Sequence, residues 1–402
     1  MRQVYLDYSA TTPVKKDVLD AMIPYFTEFY GNPSSLYSVS EPSKEAIVTA
    51  RGQVASLINA DAKEVFFTSG GTEADNWAIM GVADALKNKG NHIITTKIEH
   101  HAVLHTCEFL EKHGYEVTYL DVDSEGRVRP EDLKAAIKDS TILVSVMFVN
   151  NEIGTVQPIK ELAAIAKEHG VLFHTDAVQA FGQLPINVDE CNIDMLSASG
   201  HKLNGPKGIG FLYIRKGLKL RSFIHGGAQE RARRAGTENV PGIVGLGKAA
   251  ELANIHLEER MKHNQEIRDA LMEKVTSNIK DSYVHGSMEN RLPNNIHFRF
   301  SGIEGESLIL RLDKKGINGA TGSACSSKSL SPSYVLSALG LADADIHGSL
   351  RLSLGTENSL EDVDTVVDTL EEIVATLRTM SPIWDNEKNA SIAFDESSFT
   401  SH

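Results

Sequence analysis

The chain has 402 residues, more than a single core usually organises, and its 41% apolar and 23% charged residues are those of an ordinary globular protein, so two domains are expected. A formal net charge of −14 argues against general binding to nucleic acid or anionic membrane, since neutralising phosphates needs clustered Lys and Arg, and the one basic cluster, Arg231, Arg233 and Arg234, is short. Cys107, Cys191 and Cys325 are odd in number and far apart, which excludes a disulfide framework and paired metal-ligand spacing and suits a reducing cytosol.

The first residues, Met1–Asp7, lack the apolar core of a signal peptide, and no apolar run approaches membrane-spanning length, so a cytoplasmic protein is expected. From about residue 15 to 250 apolar strands alternate with amphipathic helices. The strands are expected at Val65–Thr68, His92–Thr96, Glu116–Leu120, Ile142–Val149, Val171–His174, Met195–Ala198 and Ile209–Ile214. Between them lie helices such as Ile159–His169, closed by Gly170. Such alternation implies an α/β fold with a mostly parallel sheet covered on both faces. One long charged helix is expected from about Gly242 to Lys274, leading into an α+β region with strands at Asn295–Phe300 and Leu350–Leu354 and helices at Gly305–Leu312 and Leu360–Met380. The polar tail Asp385–His402 is expected to be mobile. Residues 15–256 then make a large domain, and residues 1–14 with 257–402 a smaller one.

In open α/β sheets, ligands sit beyond the carboxyl ends of the strands, and the residues there form a pattern. The first strand runs into Ser69-Gly70-Gly71-Thr72, a glycine turn opening a helix, which suits a phosphate but equally a plain capped helix. The second leads to Glu99-His100-His101; an imidazole there can stack on a ring and move protons, though a lone histidine is more often structural. Next comes Asn150-Asn151, an amide for a ring hydroxyl or a carboxylate, then Asp176 and Gln179, and then Ser199-Gly200-His201-Lys202 before the turn Gly205-Pro206-Lys207-Gly208. A lysine at the mouth of a buried strand is partly desolvated, which frees its amine for a Schiff base, and an aspartate that pairs a pyridinium nitrogen completes the polar minimum for pyridoxal phosphate.

Further on, Cys325 lies in Gly319–Ser329, a Gly- and Ser-rich stretch that reads as a mobile loop displaying its thiol. Arg351, inside an apolar strand, needs a partner; a substrate carboxylate and an internal Asp or Glu serve equally.

Together these residues resemble the cysteine desulfurases of the NifS/IscS type, within class V of the fold-type I pyridoxal-phosphate aminotransferases. The resemblance runs from Tyr5-Leu6-Asp7-Tyr8-Ser9-Ala10-Thr11-Thr12-Pro13 through Gly31-Asn32-Pro33-Ser34-Ser35 to Arg351-Leu352-Ser353-Leu354-Gly355. Its most specific motifs are Ser199-Gly200-His201-Lys202 with Gly205-Pro206-Lys207-Gly208, and Gly322-Ser323-Ala324-Cys325. The resemblance implies a large domain with a mostly parallel seven-stranded sheet and a smaller α+β domain carrying the cysteine loop. It makes Lys202 the Schiff-base lysine, Asp176 the partner of the pyridinium nitrogen, Gln179 a contact of the ring oxygen and His100 the stacking, catalytic ring. Gly71, Thr72, Ser199 and His201 hold the phosphate, and Thr237 completes the phosphate site of the other subunit, which implies a homodimer. Asn151 and Arg351 bind the carboxylate of L-cysteine, and Cys325 is the nucleophile that keeps a persulfide as alanine leaves. The implied partner is a sulfur acceptor, either an iron–sulfur scaffold, with which Cys325 would transiently ligate a cluster, or a tRNA-thiolation enzyme; no resident metal is implied. A selenocysteine lyase or another class V enzyme shares this pocket, and a non-enzymatic interaction protein would tolerate loss of Lys202. Two features depart from the family pattern: His101 follows His100, and the tail does not match the ending that docks a scaffold.

Overall fold

The computed structural model describes residues 3–322, 332–385 and 387–391. The chain forms two compact units, Thr11–Asn151 with Thr155–Met261, and Met1–Ala10 with Glu152–Gly154 and Lys262–His402. In the larger unit seven strands make one sheet: β1 (Val65–Thr68), β2 (His92–Thr96), β3 (Glu116–Leu120), β4 (Thr141–Ser145), β5 (Leu172–Asp176), β6 (Met195–Ser199) and β7 (Gly210–Ile214). Their order is β1-β7-β6-β5-β4-β2-β3, and only β7 runs against its neighbours. Because β7 is antiparallel to both β1 and β6, β1 points the same way as the parallel five, and Thr68 ends on their carboxyl edge. Strands β1, β2, β4, β6 and β7 are buried along their whole length, which is why they read as continuous apolar runs. The chain past β4 still bonds to β5, Val146 N donating to His174 O at 3.1 Å and Phe148 N to Asp176 O at 2.8 Å, which accounts for the apolar run reaching Val149.

The helix Gly71–Leu86 packs Trp77, Ile79 and Val82 on one face of the sheet with Ile93, Leu143 and Leu212. The single charged helix expected from Gly242 to Lys274 is instead two, Val240–Ile255 and Leu257–Asn278, and His256 leaves helical geometry at φ −111°, ψ 16°. The two halves differ in kind: the first is apolar and lies against the helix Glu41–Leu57 so closely that a Cβ on Gly247 would stand 2.5 Å from Ala50 Cβ, whereas the second is charged.

The smaller unit has a three-stranded antiparallel sheet, β8 (Ser282–Val284), β9 (Asn295–Phe300) and β10 (Ser349–Ser353), with β9 central. Phe298, Phe300, Leu350 and Leu352 bury one core with Leu308 and Leu312 of the helix Gly305–Lys314 and Val366 and Leu370 of the helix Leu360–Thr379. Glu152–Gly154 belongs to this unit because Leu292 N donates to Gly154 O at 2.8 Å and Arg291 Nη1 to Ile153 O at 3.1 Å. Gly154 is needed there: its φ is +74°, and a Cβ would meet Asn295 Oδ1 at 2.5 Å. The tail expected to be mobile begins as a paired hairpin, Trp384–Asp385 with Ala390–Ser391, and the Arg378 guanidinium stacks 3.9 Å from the Trp384 ring centroid; residues 392–402 lie outside the described residues.

Edge strand β1 is held by a buried fork. Arg51 Nη1 and Nη2 donate to Glu230 Oε2 and Oε1 at 2.6 and 2.7 Å, and Phe67 N donates to Glu230 Oε2 at 3.0 Å. Glu230→Ala leaves a buried guanidinium and a buried N–H without their acceptor, so it is expected to lower the unfolding free energy in urea by about 3–5 kcal/mol. A loss below about 1 kcal/mol would show that the fork does not hold the edge.

Candidate active site

Three turns meet at the carboxyl edge of the large sheet. The turn after β1 enters its helix at Gly71, where a Cβ would stand 2.6 Å from Val178 Cγ2 and 3.7 Å from Ser199 Cβ. Val178 follows Asp176 at the end of β5, and Ser199 closes β6, so the glycine brings the ends of β1, β5 and β6 together. Gly210 at the start of β7 makes the same allowance, since a Cβ there would lie 2.8 Å from Gly70 Cα. The helix start offers free N–H groups beside Thr72, which is exposed, and Ser199, which is buried. Past β6 the Gly200–Lys202 turn is stapled by the N-terminal segment: Thr12 Oγ1 donates to His201 O at 2.8 Å, Asn204 N donates to Thr12 Oγ1 at 2.8 Å, and His201 Nδ1 lies 3.1 Å from Thr11 Oγ1. Burial, reinforced by Lys202 and Lys207, pushes His201 down to about 4, so its ring is neutral.

His100 caps the helix His101–Glu111, its Nδ1 accepting from Ala102 N at 3.1 Å. That bond leaves the ring hydrogen on Nε2. Burial, then the charge of Lys202, depresses its pKa, so His100 is neutral. His101 stacks instead on His105, at 4.8 Å between centroids. Of the two asparagines past β4, Asn150 is taken up by the backbone, donating to Ile98 O at 2.9 Å, while Asn151 is nine-tenths buried and Gln179 half-buried. Asp176 Oδ1 accepts from Val178 N at 2.9 Å; burial disfavours its charge, and the Val178 N–H and Lys202 favour it.

These residues fit pyridoxal phosphate. A buried carboxylate wants a cation, which a protonated ring nitrogen is, and the glycine turn is a cradle that a Cβ would fill. Thr237 is exposed, three residues beyond Arg234, whose Nε and Nη2 donate to Glu73 Oε1 and Oε2 at 2.8 and 3.0 Å. Glu73 Oε2 in turn accepts from Ser69 N at 2.7 Å, which fixes the first turn of the helix Gly71–Leu86.

In the smaller unit, Arg351 is 1% exposed and its Nη2 meets Asp7 Oδ1 at 2.8 Å, so the internal-partner reading of this arginine is realised. Cys325 lies outside the described residues. The other two thiols are poor nucleophiles. Burial, then nearby acids, pushes Cys107 up to about 12, and burial raises half-buried Cys191. Among the described residues no group of three His, Cys, Asp or Glu is placed to hold a metal, and no helix is long and apolar enough to cross a membrane.

Sequence reasoning missed the layer beneath the site. His174 stands two residues before Asp176 on β5, hence on the same face, and lies between Ser145 Oγ and Ser197 Oγ, each at 2.9 Å. Its Nε2 is 3.7 Å from Asp75 Oδ1. Burial drives His174 down to about 3, so its ring is neutral, and raises Asp75 well above the usual carboxylate range. Glu99, also fully buried, accepts at Oε1 from Met147 N at 2.8 Å and Thr96 Oγ1 at 3.0 Å, and burial raises it to about 8. The alternation His174-Thr175-Asp176 was the available signal.

The aminotransferase class-V family model matches residues 4–366. A cysteine desulfurase IscS of Clostridium botulinum is 57% identical over 387 residues, covering 96% of this chain and 98% of the relative. Among solved structures, a NifS-like protein superposes with a TM-score of 0.88 at 39% identity, covering 94% of this chain and 100% of that one. A structure described as SspA in complex with cysteine gives 0.79 at 39% identity, covering 87% and 98%.

Glu99 makes the stability depend on pH. Its ordinary pKa is near 4.5 and its folded one about 8, so between those values the folded chain keeps a proton that the unfolded chain has released. That contribution is whole below pH 4.5 and is lost as pH rises through 8, at no more than about 1.4 kcal/mol per pH unit. Glu99→Gln keeps the Oε1 acceptor without the titration. Urea unfolding at pH 5, 6.5 and 8 is expected to show the variant gaining on the wild type as pH rises; a constant gap would mean that Glu99 is ionised in the folded protein.

Proposed function

The chain belongs to the aminotransferase class-V family as a cysteine desulfurase of the NifS/IscS type, and on that premise we propose which of its residues divide the work. It is an enzyme that uses pyridoxal 5'-phosphate to take sulfur from L-cysteine, leaving L-alanine. When bound, the cofactor supplies an aldehyde for amines and a ring that withdraws electrons from the α-carbon. Gly71, Thr72, Ser199 and His201 would hold its phosphate, Asp176 would pair with the ring nitrogen, Gln179 would contact the ring oxygen, and neutral His100 would stack on the ring. The observation that carries this reading is the meeting of the Gly71, Val178 and Ser199 turns, which puts an anion cradle beside a buried carboxylate and a lysine.

Lys202 holds the cofactor at rest, and its Nζ takes the proton from the substrate α-carbon. Asn151 and Arg351 receive the substrate carboxylate, and the planar guanidinium of Arg351, which meets Asp7 at Nη2, suits that group. The Cys325 thiolate attacks the substrate sulfur, so that the carbon–sulfur bond breaks, a sulfur–sulfur bond forms on Cys325 and alanine leaves. The raised pKa values of Cys107 and Cys191 favour the third cysteine. The persulfide then passes to an acceptor protein, an iron–sulfur scaffold or a tRNA-thiolation enzyme, in the cytoplasm. A homodimer in which Thr237 reaches the partner's phosphate is supported by Thr237's own exposure. It is supported too by an apolar stretch open to solvent, where Tyr30 is 73% and Leu36 98% exposed.

Lys202→Ala is expected to abolish alanine release while the circular dichroism and the unfolding midpoint stay near wild type. Normal alanine production would remove Lys202 from the chemistry. Arg351→Leu is expected to lower kcat/KM for L-cysteine by about one to two orders of magnitude, mostly through KM, because a charge-assisted bond contributes roughly 1.5–3 kcal/mol. Asp7→Asn keeps the guanidinium and should change kcat/KM several-fold at most. Equal losses in the two variants would make Arg351 an internal ion-pair residue only.

A further inference from the structure

The central strand β9 turns Ile296, Phe298 and Phe300 to the apolar core, so Asn295, His297 and Arg299 lie on its other face with Ser349, Arg351 and Ser353 of β10. That polar face is buried too: Asn295 and His297 are wholly enclosed, as Arg351 nearly is. Its charges have partners. Arg299 pairs with Asp345 and lies 4.1 Å from the Tyr283 ring centroid, and Arg351 meets Asp7. His297 stands between the two arginines, on the same strand face as Arg299 and directly across the ladder from Arg351. The backbone N–H and C=O of Arg351 are bonded to Ala320, away from β9. The pair with His297 is therefore the non-hydrogen-bonded kind, in which facing side chains come closest, their Cβ atoms roughly 5 Å apart.

Neither ring nitrogen of His297 has a hydrogen-bond partner among the described residues. Burial, then His285, Arg351 and Arg291, hold its pKa well below the usual histidine range, so the ring is neutral, with one N–H to give and one nitrogen to accept. A buried polar group left unpaired costs stability, and an apolar side chain of similar size would fill the space without that cost. We propose that His297 is a positioning residue for Arg351: its unspent acceptor nitrogen takes a guanidinium N–H when Arg351 engages the substrate carboxylate, and so fixes the plane of the fork that grips it. The proposal rests on Arg351 receiving that carboxylate. Bidentate recognition depends on the orientation of the planar guanidinium, so a residue that sets this plane acts on carboxylate binding and on nothing else in the substrate. Only a neutral ring serves, since a cationic one has no acceptor and repels Arg351.

The test uses the full-length, cofactor-loaded wild type with His297→Phe, His297→Leu, His297→Asn and Arg351→Leu. L-Cysteine is compared with cysteamine, the same aminothiol without a carboxylate. The half-saturating concentration of each is read from the change in cofactor absorbance, and unfolding in urea is followed alongside. His297→Phe and His297→Leu are expected to need about 10-fold more L-cysteine and no more cysteamine, because they remove an acceptor for a charged group. Their unfolding midpoints should stay the same or rise, since an unpaired buried polar group is gone. His297→Asn keeps an acceptor oxygen and is expected to stay within about 3-fold of the wild type for both ligands. Apolar variants that bind L-cysteine as the wild type does, that lose cysteamine equally, or that unfold would overturn the proposal, and so would His297→Asn performing no better than His297→Phe. Arg351→Leu weakening L-cysteine no more than cysteamine would overturn the reading beneath it instead.

Discussion

Everything in the larger unit depends on a lack of room. Where the chain leaves β1, the Gly71 turn lies against Val178 and Ser199 with no space for a Cβ, and Gly210 closes on Gly70 in the same way. Three strand ends can therefore approach as bare backbone. That approach brings the start of the helix Gly71–Leu86 against the residues after β5 and β6. The antiparallel strand β7 serves this closeness, since it reverses direction between β1 and β6 and returns β1 to the functional edge.

Beneath that edge lies a polar layer that is largely uncharged. Burial holds His174 neutral and raises Asp75, Glu99 and Asp176, the last to about 6, where the Val178 N–H and Lys202 work against it. A low-dielectric interior holds one carboxylate more readily when its neighbours are neutral. His100 and His201 obey the same rule at the surface of the pocket. Both are kept neutral by burial and by Lys202, which suits them to stack and to donate rather than to add positive charge.

The sequence made the sheet and the strand-end residues legible because both follow short-range rules. A strand buried on two faces reads as an apolar run, and what comes next must be a turn; Val65–Thr68 and His92–Thr96 match their elements end to end, as does the half-exposed edge strand Glu116–Leu120. Features that depend on distant neighbours stayed hidden. The break at His256 follows from two helices of different character, and nothing local marks it. The Arg51–Glu230 and Arg234–Glu73 forks join residues 179 and 161 positions apart, and charge pattern alone does not choose such partners. Asp7 as the companion of Arg351 belongs to the same class, since β10 gives no sign of which acid will reach it.

The excursion of Glu152–Gly154 also bears on how the chain is made. These three residues leave the larger unit between Asn151 and Thr155, and their hydrogen-bond partners include Arg291, Leu292 and Ser333. On a ribosome that finishes the amino-terminal sheet first, the stretch beside Asn151 waits with its backbone acceptors unmet until residues beyond 290 emerge. Contacts of such long sequence separation form slowly. The last part of that edge to mature is therefore the part that adjoins Asn151, so a nascent chain can bring its glycine turns together well before it can turn over cysteine.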